Sequence, residues 1–310
     1  LMGNFGNMNG SGGLSKPLLL VTLLVNWATL ALGQSPDLRL GHPLYTLYDR
    51  VAIQGQQEDS AHYALRPFAL NQLARTFQRR NIGALAPTEQ KLWQYAAHHT
   101  ADSLPPANKP LLKYFFRNQR DFLHYTHPTF SVSVNPLLDL NFGPERYTLA
   151  GQSRQQSLRY TNARGAQLQG QFLGKVGFYA DFVETQAAFP LHVNQFIAEH
   201  NVYLGAGFLK RFGTDGYDYN VATGYLTYSP NRFLRFKLGQ DYARWGYGLR
   251  SLWLSGQAVP ALQLQTQATF GRFQYTSLQL QLVDFVAGKP DDVGTQPRKY
   301  ASFHYLNWRV

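Results

Sequence analysis

The segment Lys175-Val176-Gly177-Phe178-Tyr179-Ala180-Asp181-Phe182 decides the class of fold, because apolar residues occupy every second position along it. Successive side chains of a β-strand point to opposite faces of the sheet. A period of two therefore places the apolar side chains on one face and Lys175, Tyr179 and Asp181 on the other. The segment predicts a β-strand with one apolar and one polar face.

The same alternation recurs from about Thr129 to the end of the chain. The longest of these stretches, 262–270, reaches the 9 to 11 residues, roughly, that a tilted strand needs to cross a bilayer. Aromatic residues cluster near the predicted strand ends, which suits the aromatic girdles at membrane interfaces. The alternating stretches are 130–135, 138–142, 167–172, 234–239, 262–270 and 277–282, and the aromatic residues are Tyr217, Tyr219, Tyr225, Tyr228, Tyr242, Trp245, Tyr247, Tyr300, Tyr305 and Trp308.

Composition narrows the class of protein further. The chain has 310 residues, of which 15% are aromatic and only 15% charged, so it is not a disordered polymer. It has no cysteine, which excludes disulfide scaffolds and thiolate metal sites. The mean hydropathy of −0.31 is compatible with a transmembrane β-barrel, because the interior of such a barrel is polar. The net charge of +11 favours acidic partners.

The N-terminal region has the pattern of an export signal. Lys16 precedes an apolar run over 17–32, and the small residue Gly33 stands before Gln34. We interpret this run as a signal peptide cleaved between Gly33 and Gln34, with an anchor helix as the alternative. Residues 1–15 are excluded from the fold prediction. The mature chain is then expected to begin outside the cytoplasm.

Two helices are predicted between the signal and the first strand. Apolar residues recur at mostly helical spacing from Glu58 to Arg80, with a kink expected near Pro67, and a second helix opens at Pro87 and stops before Leu104. The arginines of the first helix are either a docking surface for anionic glycan or lipid, or a solvated face. The predicted organisation is 1–33 upstream residues and signal, 34–127 helical periplasmic region, and 128–310 β-barrel.

The predicted fold class is mainly β: an antiparallel outer-membrane β-barrel preceded by a small helical element. The alternative is a secreted β-sandwich, which shows the same alternation with its apolar face in a core. The export signal, the strand lengths and the aromatic residues favour the barrel. Because the chain stops at Val310 inside an apparent strand, we expect it to be the N-terminal part of a longer protein.

Several segments stand in a recognisable order along the chain: His42-Pro43-Leu44-Tyr45-Thr46-Leu47-Tyr48-Asp49-Arg50, the pair of predicted helices, the stretches 176–182, 216–225 and 246–255, and Arg298-Lys299-Tyr300-Ala301-Ser302-Phe303-His304-Tyr305-Leu306. Together they resemble the Bacteroidota branch of the capsule assembly Wzi family, which includes gliding-motility proteins of the RemB type. The resemblance covers the chain from about residue 35 to its end, but only the first half or so of a family member. It implies a large outer-membrane barrel with a periplasmic helical element, acting as a surface lectin for capsular or exopolysaccharide.

Two groups of residues are candidate sites. Arg244, Trp245, Tyr247 and Arg250 combine cations with aromatic rings around glycines, a composition that suits binding of an acidic polysaccharide; the alternative is an interfacial aromatic belt. The second group consists of polar residues predicted to line the lumen, either as a path for solutes or as a hydrated wall: Lys175, Asp181, Arg235, Lys237 and Asp241.

Enzymatic patterns are weak. His98, His99, His124 and His127 have no carboxylate at a spacing that would complete a zinc or catalytic site. We therefore expect no enzyme activity, no cofactor and no bound metal.

The sequence predicts a non-enzymatic protein of the bacterial outer membrane that attaches or assembles surface polysaccharide. Its expected partners are capsular or exopolysaccharide and membrane lipid, and not nucleic acid. A homo-oligomeric contact or a partner in surface machinery stays open. The alternatives are a role in gliding motility, a porin-like channel, and a secreted glycan hydrolase.

Overall fold

A single antiparallel sheet dominates the computed structural model. The structure describes residues 36–53, 64–70, 73, 87–100, 114–116, 118, 120–148, 155–200, 202–213, 215–246, 251, 253–283 and 296–308. Within these residues the fold is mainly β, as the alternation predicts. The predicted signal peptide, its Gly33–Gln34 cleavage site, and Tyr247 and Arg250 lie outside the described residues.

Ten strands form the main sheet within the described residues, and they are β2 (Leu123–His127), β3 (Phe130–Tyr147), β4 (Gln155–Phe172), β5 (Val176–Ala188), β6 (Lys210–Phe212), β7 (Gly216–Tyr228), β8 (Leu234–Asp241), β10 (Ala261–Phe270), β11 (Phe273–Val283) and β12 (Arg298–Trp308). Their order across the sheet is β12-β11-β10-β8-β7-β5-β4-β3-β2, with β6 paired to β7. Neighbours along this path are antiparallel and follow the order of the chain.

The connections at the two ends of this sheet differ in length. At one end β2–β3, β4–β5, β7–β8 and β10–β11 are joined by two, three, five and two residues. At the other end the connections are residues 148–154, 189–215, 242–260 and 284–297. The connection 189–215 contains helix α3 (Leu191–His200), and 242–260 contains the short strand β9 (Arg244–Trp245). We call these the short-turn end and the long-connection end.

The N-terminal element has its own apolar core. Helix α1 (Leu44–Ile53) buries Leu44 and Tyr48 completely, and helix α2 (Pro87–Thr100) contributes Trp93 and Ala96 to the same cluster. The start of α2 at Pro87 and its end before Leu104 confirm the second predicted helix.

The first predicted helix is wrong in its described N-terminal part. Leu65–Arg66 form strand β1, which pairs with β9. Pro67 supplies the physical reason, because proline has no N–H and disfavours helical geometry in the residue before it. Farther along, Leu70 and Leu73 are helical, as predicted, and the rest of this predicted helix lies outside the described residues. A further helix occurs at α1, which the sequence analysis did not predict.

The two faces of the sheet have opposite polarity from β5 to β8. One face carries Asp181, Thr223 and Lys237, all buried; we call it the inner face. The opposite, outer face carries large apolar side chains that are exposed, such as Leu226 at 58% and Leu238 at 57%. Cross-strand pairs keep these faces continuous, because Leu226 lies opposite Leu238 and Thr227 opposite Lys237. The usual arrangement of a soluble sheet is therefore reversed.

Apolar side chains return to the inner face at β11 and β12. Leu278 and Leu280 are buried there and pack with Ala64, Leu65 and Trp245. The residues that alternate with them along β11 and β12 point to the outer face and are polar. They are Ser277, Gln279, Gln281, Ser302 and His304. Thus the N-terminal element covers the inner face, against polar residues at β7–β8 and apolar ones at β11–β12.

Candidate functional site

A buried ion-pair network joins the start of the described chain to the inner face of the sheet. The carboxylate of Asp37 accepts hydrogen bonds from Arg235 Nη2 at 2.5 Å and from Lys237 Nζ at 2.8 Å. The side chains of Asp37 and Lys237 are 2% and 1% exposed. Breaking a pair buried to this degree leaves an uncompensated charge, which costs about 3–5 kcal/mol.

Two further contacts fix this network in place. Lys237 Nζ also pairs with Asp241, which lies four residues along β8. The backbone N–H of Asp37 donates to the hydroxyl of Tyr225 at 2.8 Å, and the Lys237 ammonium lies 4.1 Å from the centre of the Tyr225 ring. Lys237 therefore has two carboxylates and an aromatic face around its ammonium group, and all three attract it.

Glycine is required next to Tyr225. Gly239 has φ of +148°, and a Cβ added there would lie 2.3 Å from the carbonyl oxygen of Gly224 and 2.7 Å from Cβ of Tyr225. Any side chain at this position would displace Tyr225, which holds Asp37. The glycine thus allows the close packing on which the ion-pair network depends.

A second ion pair repeats the connection on β5. Arg39 Nε lies 3.5 Å from Asp181 Oδ2, and the same carboxylate accepts hydrogen bonds from Tyr179 and Thr223. Asp181 is thereby fully surrounded by donors on the inner face. Two carboxylates and three cations therefore hold the N-terminal element on β5–β8. Asp37 of this element binds Arg235 and Lys237 of the sheet, and its Arg39 binds Asp181.

The charges of its partners set the protonation state of Asp37. Burial alone raises the pKa of this carboxyl, but the positive charges of Arg235 and Lys237 and the hydrogen bonds from them outweigh burial, so its pKa lies below the ordinary value of 3.8. Asp37 is therefore ionised at neutral pH.

A second group of residues surrounds the short pairing of β1 with β9. Arg66 lies directly opposite Arg244, and Leu65 opposite Trp245. Arg66 pairs with Asp49, and its guanidinium lies 5.1 Å from the centre of the Tyr45 ring. Burial, and then the charge of Arg66, lower the pKa of Arg244. Two like charges opposite each other oppose pairing, and the Asp49 carboxylate offsets this repulsion at Arg66.

The structure brings together four of the five residues predicted to line the lumen. Asp181, Arg235, Lys237 and Asp241 share the inner face, where the N-terminal element covers them. Lys175 lies apart, half-exposed in the short turn between β4 and β5.

Arg244 and Trp245, the described members of the predicted polysaccharide site, differ in exposure. Trp245 is 3% exposed and packs with Phe303 and Tyr305, so its ring contacts protein. Arg244 is half-exposed, and a Cβ on Gly256 would lie 3.3 Å from its Cδ. The polysaccharide role of this region stays a prediction.

Sequence reasoning missed the residues supplied by the N-terminal element. Asp37 and Arg39 stand in no periodic pattern, and each meets a residue more than 140 positions away along the chain. Arg66 was assigned to a helix, so its position opposite Arg244 could not be anticipated.

Comparisons with known proteins assign neither a family nor a function to the chain. No protein-family model, no curated protein and no solved structure matches the chain. Within the described residues, no helix is both long and apolar enough to span a membrane, and no group of three or more histidines and carboxylates could hold a metal ion.

The substitution Asp37→Asn tests the ion-pair network. We expect it to lower the free energy of unfolding by about 3–5 kcal/mol at pH 7, because Arg235 and Lys237 then lose a buried counter-charge. Since the folded-state pKa of Asp37 is lowered, its stabilisation is present above pH 3.8 and is lost as the pH falls through the folded value. The difference between wild type and variant should therefore shrink in acid.

Urea unfolding of the full chain, followed by tryptophan fluorescence from pH 7 down to pH 3, measures this difference. The matched control is Asp215→Asn, because Asp215 is 68% exposed and lies 3.9 Å from Arg159. An exposed pair of this kind contributes little, so the control should unfold like wild type. Equal stability of Asp37→Asn and wild type at pH 7 would contradict the network's role.

Proposed function

We propose that this chain forms part of an outer-membrane β-barrel that attaches or assembles capsular or exopolysaccharide at the bacterial surface, without enzyme activity. The observation that carries the membrane part is the reversed polarity of the sheet. Phe142, Leu226 and Leu306 are 82%, 58% and 65% exposed on the outer face, while charged residues are buried on the inner face. An apolar surface of this extent is unfavourable in water, so we expect another apolar surface to cover it. Strands with this alternation fit the hydrocarbon region of a lipid bilayer.

The boundary of the apolar surface supports the same proposal. On β5 the last exposed apolar residue of the outer face is Phe182, followed by Glu184, and on β12 it is Leu306, followed by His304. Phe182 pairs with Ala222, and extending the strand registers past their last paired residues places Phe182 level with Arg298 on β12. The boundary therefore moves eight residues over five strand spacings, with β10 departing from the line at Leu262.

The displacement of the apolar boundary agrees with the tilt of strands in membrane barrels. Eight residues span about 26 Å along a strand, and five strand spacings span about 24 Å. The apolar boundary therefore crosses the strands at about 45°, close to the tilt of roughly 35–45° in membrane barrels. A flat lipid boundary across tilted strands produces this pattern.

The ends of the sheet are also consistent with a membrane barrel. Bacterial barrels have short periplasmic turns and longer extracellular loops, and the two ends of this sheet differ in that way. Stacked aromatic pairs lie near the short-turn end, and they are Tyr228 with Phe236, Phe233 with Phe270, and Phe273 with Trp308. On this proposal the long-connection end, which contains Arg244, meets the cell exterior.

Attachment of polysaccharide fits the geometry better than passage of solutes. The N-terminal element occupies the inner face at β5–β8, where a channel would need open space. The net charge of +11 suits an acidic glycan, as do Arg66 and Arg244, which lie opposite each other on β1 and β9. The choice of capsular or exopolysaccharide rests on the family resemblance of the sequence.

An arginine placed on the outer face tests the membrane part. We expect Leu226→Arg to destabilise the membrane-inserted protein by about 2–4 kcal/mol, because an arginine in the apolar band must leave water. Asn220→Arg is the matched control, since Asn220 is also exposed on the outer face of β7 but lies beyond the apolar boundary. Urea unfolding in lipid vesicles compares the two variants, and equal stabilities would contradict lipid contact at Leu226.

Retention of polysaccharide tests the functional part. In a strain that lacks the gene, we expect surface polysaccharide to move from the cells into the medium while total synthesis stays constant. The wild-type gene should restore retention, and measurement of cell-bound and shed glycan in both strains shows whether it does. Unchanged retention in the deletion strain would contradict the proposed function and favour motility or transport.

A further inference from the structure

Three side chains on the outer face of β11 and β12 are joined by hydrogen bonds beyond the apolar boundary. Gln281 lies directly opposite Tyr300, and its Nε2 donates to the Tyr300 hydroxyl at 2.9 Å. Arg298 Nη1 donates to Oε1 of the same glutamine at 3.0 Å. One amide therefore holds both the guanidinium and the phenol ring. We call these three residues the β11–β12 surface.

The core on the other side of the two strands keeps this surface in place. The residues that alternate with its side chains point inward, where Leu280 and Phe303 pack with Leu65 and Trp245. The two strands are also paired without interruption along their whole length. A ligand that covers the surface therefore has few protein groups to immobilise, which lowers the entropic cost of binding.

Tyr300 presents an aromatic ring to solvent in a fixed position. The residue is 76% exposed, although its hydroxyl has a hydrogen-bond partner. Because this hydroxyl reaches a side chain on β11, the ring leans across the sheet. A ring held in this way offers a flat apolar area on which another flat apolar group can stack.

Lipid does not account for the exposure of Tyr300 under the proposed function. Tyr300 lies six residues beyond Leu306, the last exposed apolar residue of β12, and this interval spans about 20 Å along a strand. Because the apolar boundary crosses the strands at about 45°, Tyr300 lies roughly 14 Å beyond it. The connection 284–297 leads into β12, so Arg298 and Tyr300 lie toward the long-connection end, which meets the cell exterior under the proposed function.

Positive charge lies next to the exposed ring. Arg298 and Tyr300 are two positions apart on the same face of β12, a separation of about 7 Å. Arg298 is exposed, and within the described residues its side chain bonds to a neutral amide and has no salt bridge to a carboxylate. A guanidinium has several N–H donors, so Arg298 can keep its bond to Gln281 and still bind a carboxylate.

We propose that Arg298, Gln281 and Tyr300 bind an acidic saccharide whose pyranose ring carries a carboxylate. The apolar face of the sugar stacks on Tyr300, and its carboxylate binds Arg298, whose long side chain reaches the same sugar. Gln279 and Ser302, the next outward pair along the two strands, are exposed and supply hydrogen-bonding groups for the adjoining sugar. This inference rests on the proposed function, because it names the sugar class and the contact residues for the glycan that the protein is proposed to hold.

The probe is hexagalacturonate, in which every sugar carries a carboxylate, titrated into the full chain in detergent micelles and measured by calorimetry. Maltohexaose, which has the same type of linkage and no charge, is the second probe. We expect Tyr300→Ala to weaken binding of the acidic probe about tenfold or more, because the stacked contact is lost. The matched control is Tyr228→Ala, which should bind like wild type, because Tyr228 is 47% exposed on the same outer face but lies on the lipid side of the boundary.

Further variants separate stacking and charge from structure. Tyr300→Phe keeps the ring and should retain most of the affinity. Arg298→Gln should weaken the acidic probe and change little for the neutral one, whereas Arg272→Gln, which removes an exposed charge from the turn between β10 and β11, should bind both probes like wild type. Thermal unfolding of Tyr300→Ala should match wild type, since an exposed ring contributes little to the core.

The outcomes separate this site from the proposed function. Equal binding of the acidic probe by wild type and Tyr300→Ala would overturn the site while leaving polysaccharide retention untouched. An equal loss in Arg298→Gln and Arg272→Gln would show dependence on net charge alone and overturn the contact with Arg298. Binding of neither probe by wild type would overturn the site as well, and loss of retention in the deletion strain would still support the proposed function.

Discussion

The ammonium group of Lys237, buried to 1% exposure, is the constraint on which the arrangement of this chain depends. A lysine in the middle of a strand can be buried in this way only if carboxylates neutralise it. Asp241 lies on the same strand, but Asp37 is 200 residues away along the chain. Neutralising Lys237 therefore requires the N-terminal element to lie on the inner face of the sheet.

The other features follow from this contact. With the polar face covered by protein, the exposed surface of the sheet from β5 to β8 is the apolar one, which lipid covers under the proposed function. The same contact brings β1 against β9, which buries Trp245 and places Arg66 opposite Arg244. Structure and proposed function are linked through one ion-pair network.

The sequence predicted the parts of the fold that depend on local pattern. The period of two over 176–182 and 234–239 identified real strands and assigned Asp181 and Lys237 to the polar face correctly. In contrast, the alternation over 277–282 could not show that Leu278 and Leu280 point inward, because that orientation depends on Leu65 and Trp245 packing against them. The alternation of apolar and polar residues identifies the two faces of a strand, but it does not show which face the rest of the protein covers.

Long-range contacts explain the remaining differences. Helical spacing at Leu65 and Phe68 predicted a helix, but Pro67 and the pairing of Leu65–Arg66 with β9 favour an extended conformation. Arg244 was singled out by composition, and the structure adds Arg66 opposite it from a distant strand. This pairing of like charges has no signature in local sequence.

Nitroxide labels on the outer face give the most direct test of lipid contact, and the absence of native cysteine makes single-cysteine variants straightforward. Labels at Phe182 and Leu306 should be accessible to oxygen and protected from a polar nickel reagent in lipid vesicles. Labels at Glu184 and Tyr300, which lie beyond the apolar boundary on the same two strands, should show the opposite preference. Equal access of the nickel reagent to all four positions would contradict the account.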